Sequence, residues 1–163
     1  MSNSNNIKWE RTEFFESKLR VPVLGQLVEV WVQPESDSAA SPTPAQIRAL
    51  DAFLALGPEQ KADWTHQVAL DIYDTCRLFG IGQDETPVRL RKRDDVWKHV
   101  RLPQVFIPTH GKTHDRYVFV DGSCDWEEEH GLELLFKNER LIRVGRNEGL
   151  AQSEEWLLYF INE

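Results

Sequence analysis

The order of elements in this chain predicts an α+β fold, a mostly antiparallel sheet with a two-helix hairpin packed on one side. Three observations predict it. The N-terminal region alternates like strands, residues 43–79 carry helical periodicity with strong start signals, and the remainder returns to short apolar runs separated by turn residues. A doubly wound sheet would require strands and helices to alternate along the chain, and these do not. With 163 residues the chain is sized for one domain spanning 1–163, and the polar start through residue 8 is expected to fray.

The first elements follow from alternation. Leu27, Glu29 and Trp31 fall on one face and Val28, Val30 and Val32 on the other, so two strands are expected to meet around Gly25-Gln26. Pro22 has no N–H to donate, which places the first of them at an edge or a bulge. A Ser-, Ala- and Pro-rich loop at 34–43 leads to Thr43-Pro-Ala-Gln46, the pattern of a reciprocal helix cap. Ile47, Leu50, Phe53 and Leu54 form the inner stripe of that helix, and Gly57-Pro58 is expected to supply a left-handed stop and then open the next helix. The second helix, about 58–79, puts Ala62, Thr65, Val68, Ala69, Ile72, Tyr73, Cys76 and Phe79 on one face before Gly80-Ile-Gly82 ends it.

Beyond it, Val100–Ile107 and Tyr117–Val120 read as one hairpin around the 109–114 turn. Asp121-Gly122 then breaks the chain, and Gly131–Phe136 with Leu141–Val144 make a second hairpin turning at 137–140. The tail 153–161 is apolar, but its period does not decide between helix and strand.

Composition narrows function by exclusion. No apolar run approaches the roughly 20 residues that span a bilayer, so a membrane helix is excluded. A net charge of -8 makes nonspecific nucleic-acid binding a poor reading, because neutralising phosphates needs a basic surface. The charge is unevenly laid out: residues 88–116 hold eight Lys+Arg and three Asp+Glu, a local +5, which leaves -13 for the rest. Two cysteines, Cys76 and Cys124, are too few for a disulfide framework, and with no secretory leader pattern in the first residues the expected compartment is the cytoplasm. Cys76 reads as a small buried hydrophobe. No glycine-rich phosphate loop occurs, and no cofactor is expected.

The densest polar cluster is Asp121-Gly-Ser-Cys-Asp-Trp-Glu-Glu-Glu-His-Gly131. Asp121, Ser123 and Asp125 have the spacing that opens a calcium loop, but Trp126 stands where such a loop needs glycine and Glu133 falls one place past the closing carboxylate. Zinc would have to recruit Cys124 and His130 together with His110 and His114 from another turn. A structural account explains more of these residues: Trp126 covering the sheet end, His130 bonded to a neighbouring backbone group, Gly131 permitting tight entry to a strand. The basic run Arg89–Arg93 could meet phosphates or an acidic protein face, and otherwise reads as a solvated strand edge.

From Cys124 through His130-Gly-Leu-Glu-Leu-Leu-Phe136 and Leu141-Ile-Arg-Val-Gly145 the chain resembles a family of uncharacterised bacterial cytoplasmic proteins. There too a Trp, an acidic residue and His-Gly-Leu precede a strand. The Gln46 helix start, Ala49, Phe53-Leu54 and Tyr73 extend the likeness over about residues 9–147. It departs at Glu127-Glu128, where related sequences carry Asp-Pro. The resemblance implies an α+β domain of unknown function without established enzyme activity, some members accompanying toxin systems.

The leading expectation is a non-enzymatic protein-binding domain, an immunity-type protein that covers the active site or substrate face of a basic toxin domain. Asp125, Trp126, Glu127, Glu128, Glu129 and His130 are its expected contact residues. The alternative is a metal-binding protein or hydrolytic enzyme built on the Asp121–His130 loop, centred on Asp125, Glu128, Glu129 and His130. A third is a self-associating scaffold using an exposed aromatic such as Trp156. No catalytic set and no metal ligands are assigned.

Overall fold

The structure is a computed structural model and describes residues 4–81, 88–109 and 113–153. Among them, seven strands form one sheet in chain order: β1 (Glu10–Arg11), β2 (Phe15–Val21), β3 (Gln26–Val32), β4 (Val100–Ile107), β5 (Tyr117–Cys124), β6 (Glu127–Lys137) and β7 (Arg140–Gly145). Every neighbouring pair is antiparallel except β3 and β4, which run parallel. The exception has a physical cause. Short turns reverse the chain, whereas between β3 and β4 it passes through α1 (Pro44–Leu54) and α2 (Pro58–Leu78), and a helical crossover returns it in the same direction. The class is α+β with a mixed, mostly antiparallel sheet.

The start of α1 forms as its residues dictate. Thr43 Oγ1 accepts from the Gln46 N–H at 3.2 Å, and Gln46 Oε1 accepts from the Thr43 N–H at 3.0 Å. The amide of Gln46 then donates to the carbonyls of Gln33, at 2.6 Å, and Pro108, at 3.1 Å, just past the ends of the parallel strands. One buried side chain thus caps a helix and ties off two strands. Gly57 behaves differently from expectation. Its φ of -113° is extended, so it caps the N-terminus of α2 and supplies no left-handed stop. Gly80, at φ +67°, is the left-handed residue that follows α2.

On α2 the buried residues are Trp64, Thr65, Val68, Ala69, Ile72 and Cys76, whereas Ala62, Tyr73 and Phe79 are exposed. The row Trp64-Val68-Ile72 at spacing four carries the most apolar area, and it rotates the helix away from the stripe predicted for it. Ring contacts join both helices to the sheet: Trp64 stacks on Phe53 of α1 at 6.0 Å between centroids and meets Phe136 of β6 edge-on at 4.5 Å.

Pro22 sits in a single 3-10 turn between β2 and β3, Pro22–Leu24, where its missing N–H costs no ladder bond. Asp121-Gly122 does not break the chain, contrary to the sequence reading. β5 continues through it to Cys124, with an irregular register after Gly122, and the reversal comes at Asp125-Trp126. Gly122 serves close approach instead: a Cβ there would lie 3.2 Å from the Arg101 carbonyl. Gly131, at φ +74°, is more constrained, since a Cβ would lie 2.4 Å from the Gly122 carbonyl. The basic run 89–93 is not a strand edge; it leads into a 3-10 helix, Arg93–His99. At the other end, Ser4–Asn6 forms a 3-10 turn, with Ser4 Oγ donating to Asp51 of α1 at 2.7 Å.

The sheet has two unlike faces. Val28, Val30, Val32, Val105, Ile107, Val118, Val120, Leu132, Leu134 and Phe136 share one buried cluster with the helices. Residues of opposite parity, among them Phe106, Tyr117, Phe119 and Leu135, form a second, smaller cluster with Leu150 and Ala151. The tail from residue 154, including Trp156, lies outside the described residues.

Candidate functional site

The turn between β5 and β6 holds the residues expected to meet a partner, and most of their polar atoms are bonded within the molecule. Asp125 accepts from His99 Nδ1 at 2.8 Å and from Arg101, and these bonds hold its carboxyl below the ordinary aspartate range. Trp126 is buried, its Nε1 donating to Asp71 of α2 at 3.0 Å. Glu127 is buried as well. It accepts from the N–H groups of Glu129 and His130 at 3.2 and 3.3 Å and faces His130 Nδ1 at 2.7 Å. His130 therefore bonds a carboxylate rather than the expected backbone group. Glu128 and Glu129 are exposed. The six residues are contiguous in space, and they split into a bonded scaffold and two outward carboxylates.

The turn is pressed against α2 by the Trp126–Asp71 bond. Burial pushes the Asp71 carboxyl up, partly offset by that bond, with the charge of Asp74 pushing the same way as burial. Leu70, Asp74 and Leu78 form a row along the same helix at spacing four, next to Asp71. Leu70 is 46% and Leu78 67% exposed. Carboxylates and uncovered leucines therefore share this side of the molecule. This feature could not be read from periodicity, because it depends on which loop docks on which side of α2.

The carboxylates of the 121–130 loop face different partners. Asp121 faces β6, Glu127 faces His130, and Asp125 faces β4. Among the described residues no group of three His, Cys, Asp or Glu side chains is placed to hold a metal ion. Cys124 is fully buried, and burial raises its thiol to about 11, which keeps it protonated and unreactive at neutral pH.

A polar group that sequence reasoning missed lies on the second face of the sheet. Asp121 stands opposite Glu133 in the β5–β6 register, and Arg143 of β7 donates to Glu133 at 2.9 Å. Glu133 has no exposed surface. Burial, reinforced by the charge of Glu133, raises Asp121 to about 8, and burial also raises Glu133 against the pull of Arg143. Asp121 Oδ1 and Glu133 Oε2 are buried acceptors without a hydrogen-bond donor among the described residues, and the upward shift of both carboxyls favours a protonated form that would supply one. The sequence clue was faint: Glu133 is the one charged residue in a run of Leu and Phe.

No curated protein and no solved structure matches the chain. A family model does, the domain of unknown function DUF6985, over residues 3–151. That span takes in every strand, both helices and the whole β5–β6 turn, so the chain belongs to the DUF6985 family.

Proposed function

We propose that this chain is a protein-binding domain whose partner presents a basic surface, docked on the side of α2 where the β5–β6 turn lies. One observation carries the reading: the Trp126–Asp71 bond ties the turn that leads to the exposed Glu128 and Glu129 to a helix that leaves Leu70 and Leu78 uncovered. Apolar anchors with a charged surround are the composition of protein interfaces, and carboxylates of one sign steer an oppositely charged partner. The charge outside residues 88–116, -13 in a chain of -8, supports the same choice. The partner class that agrees with the family resemblance is a bacterial toxin domain, covered at its active site or substrate face, in the cytoplasm.

Size-exclusion chromatography of the chain mixed with the product of its neighbouring gene, at micromolar concentration and low salt, tests the proposal. A complex that forms with the wild type and is lost in Glu128→Lys/Glu129→Lys supports it. No complex, or one indifferent to both this variant and Leu78→Asp, overturns it. Both glutamates are exposed, so their replacement is expected to leave stability within about 0.5 kcal/mol.

A further inference from the structure

Opposite in character to that acidic side is a groove of about 660 Å³ between the first turns of α2, the 3-10 helix at Arg93 and the β6–β7 turn. Its floor is the buried indole of Trp64 and the side chain of Leu141, and its rim is set by Arg93, Arg140, His66 and Asp63. Most of the side chains that line it are polar or charged, a composition that suits a polar ligand rather than an apolar one.

Two facts make the arginines more than solvated surface charge. Among the described residues neither makes an ion pair, and two of the carboxylates near them are bound to other cations. Glu139, next to Arg140, is held in a two-pronged pair by Arg116 at 2.9 Å on each prong, and Asp95 is bridged to Lys98 at 3.0 Å. The turn that presents Arg140 is also strained. Asn138 and Glu139 have φ of 49° and 64°, the left-handed conformations that a two-residue hairpin turn demands. Glycine would hold the second position without penalty; Glu costs on the order of 1 kcal/mol there. Its carboxylate engages Arg116 rather than Arg140, so Asp63 is the acid at the groove that no other cation holds among the described residues.

We propose that this groove binds a small hydroxylated phosphate monoester, of the sugar-phosphate type. Two guanidinium forks suit the oxygens of a phosphate dianion, and His66 adds a ring donor. Asp63 and Gln67, on the same stretch of α2, supply an acceptor and an amide for hydroxyl groups, where a bare anion would only meet the repulsion of Asp63. The basic stretch ending at Arg93, which the protein-binding reading leaves without a role, thereby acquires one, and the proposal stands apart from that reading.

Calorimetric titration with ribose 5-phosphate, inorganic phosphate and ribose, each added to the full chain, tests it. Ribose 5-phosphate is expected to bind, with inorganic phosphate at least about tenfold weaker and Arg93→Ala/Arg140→Ala weakening the ester by about 30-fold or more. Both arginines are exposed, so the variant is expected to fold, and its circular dichroism verifies this. No binding at about 10 mM ester, or equal binding by the folded double variant, overturns the proposal. Inorganic phosphate binding as tightly as the ester overturns the assignment to a hydroxylated ligand.

Discussion

The two faces of the sheet are built by the same strands and stabilised by different physics. The helix-covered face is apolar from β3 to β6, so its contribution is burial, non-directional and insensitive to pH. The opposite face is crossed by a polar row. Lys18 stands opposite Glu29, Glu29 opposite Gln104, Gln104 opposite Asp121, and Asp121 opposite Glu133, which Arg143 closes from β7. At the exposed end of that row the groups are solvated, with Lys18 and Glu29 4.0 Å apart. At the other end Glu133 is fully buried. Stability on this face is therefore conditional on charge, and the contrast yields separate predictions.

The largest effect is expected on the apolar face. Phe136 is 1% exposed and meets both Phe53 and Trp64, at 5.4 and 4.5 Å between centroids, so Phe136→Ala opens a cavity between sheet and both helices. A loss of about 3–5 kcal/mol in urea unfolding, the same at pH 5 and pH 8, is expected. A strongly pH-dependent loss would break the division between the faces.

Next in size is the carboxyl pair. Asp121 has an ordinary value of 3.8 and is raised to about 8 in the folded chain, and Glu133 is raised as well. The folded state then binds more protons than the unfolded one. Its stabilisation is complete below about pH 4 and is lost as pH rises through 8. Half-buried carboxylates oppose this at the acid end: Asp95, Asp115 and Asp125 are lowered by their partners and lose that support as pH falls. Stability measured by urea midpoint should be greatest in mildly acid solution and decline toward pH 8 by an amount on the order of a few kcal/mol. Asp121→Asn, which cannot ionise and whose amide can donate to Glu133, should flatten that decline and be more stable than the wild type at pH 8. An unchanged slope would mean that the pair does not hold the proton.

Part of this architecture was legible from residue order and part was not, for reasons of range. The Thr43–Gln46 cap and the alternation of residues 27–32 are local, set by bonds and sterics within a few residues, whereas Gly131, expected at a strand entry, lies inside β6 and is required by the Gly122 carbonyl of the neighbouring strand. The parallel pairing of β3 with β4, the Asp121–Glu133 contact and the docking of Trp126 on Asp71 join residues far apart in sequence, and a shift of one residue in strand register would undo the carboxyl pair. Gln46 shows the boundary. Its capping role follows from its position three residues after Thr43, while its bonds to Gln33 and Pro108 require the folded sheet. Gln46→Ala tests both roles: losing the cap and leaving two carbonyls short of a donor should cost about 2–3 kcal/mol, whereas Thr43→Ala, which removes only the cap, should cost about 1. Equal losses would mean that the strand carbonyls find other partners.

The smallest effect separates the two ends of the polar row. Gln104 is half-buried at its centre, donating to Glu29 at 3.1 Å and standing opposite Asp121. If the row acts as one network, removing its middle should alter the titration at Asp121; if burial at Asp121 dominates, as the leading cause of its shift indicates, Gln104 matters only to its own bond. Because water reaches Glu29, the second outcome is expected. Gln104→Ala should lower stability by about 0.5–1 kcal/mol, equally at pH 5 and pH 8, and leave the slope between them unchanged. A changed slope would show that the exposed end of the row is coupled to the buried proton, and the contrast would then lie between the sheet faces as wholes rather than between water-exposed and water-excluded carboxylates.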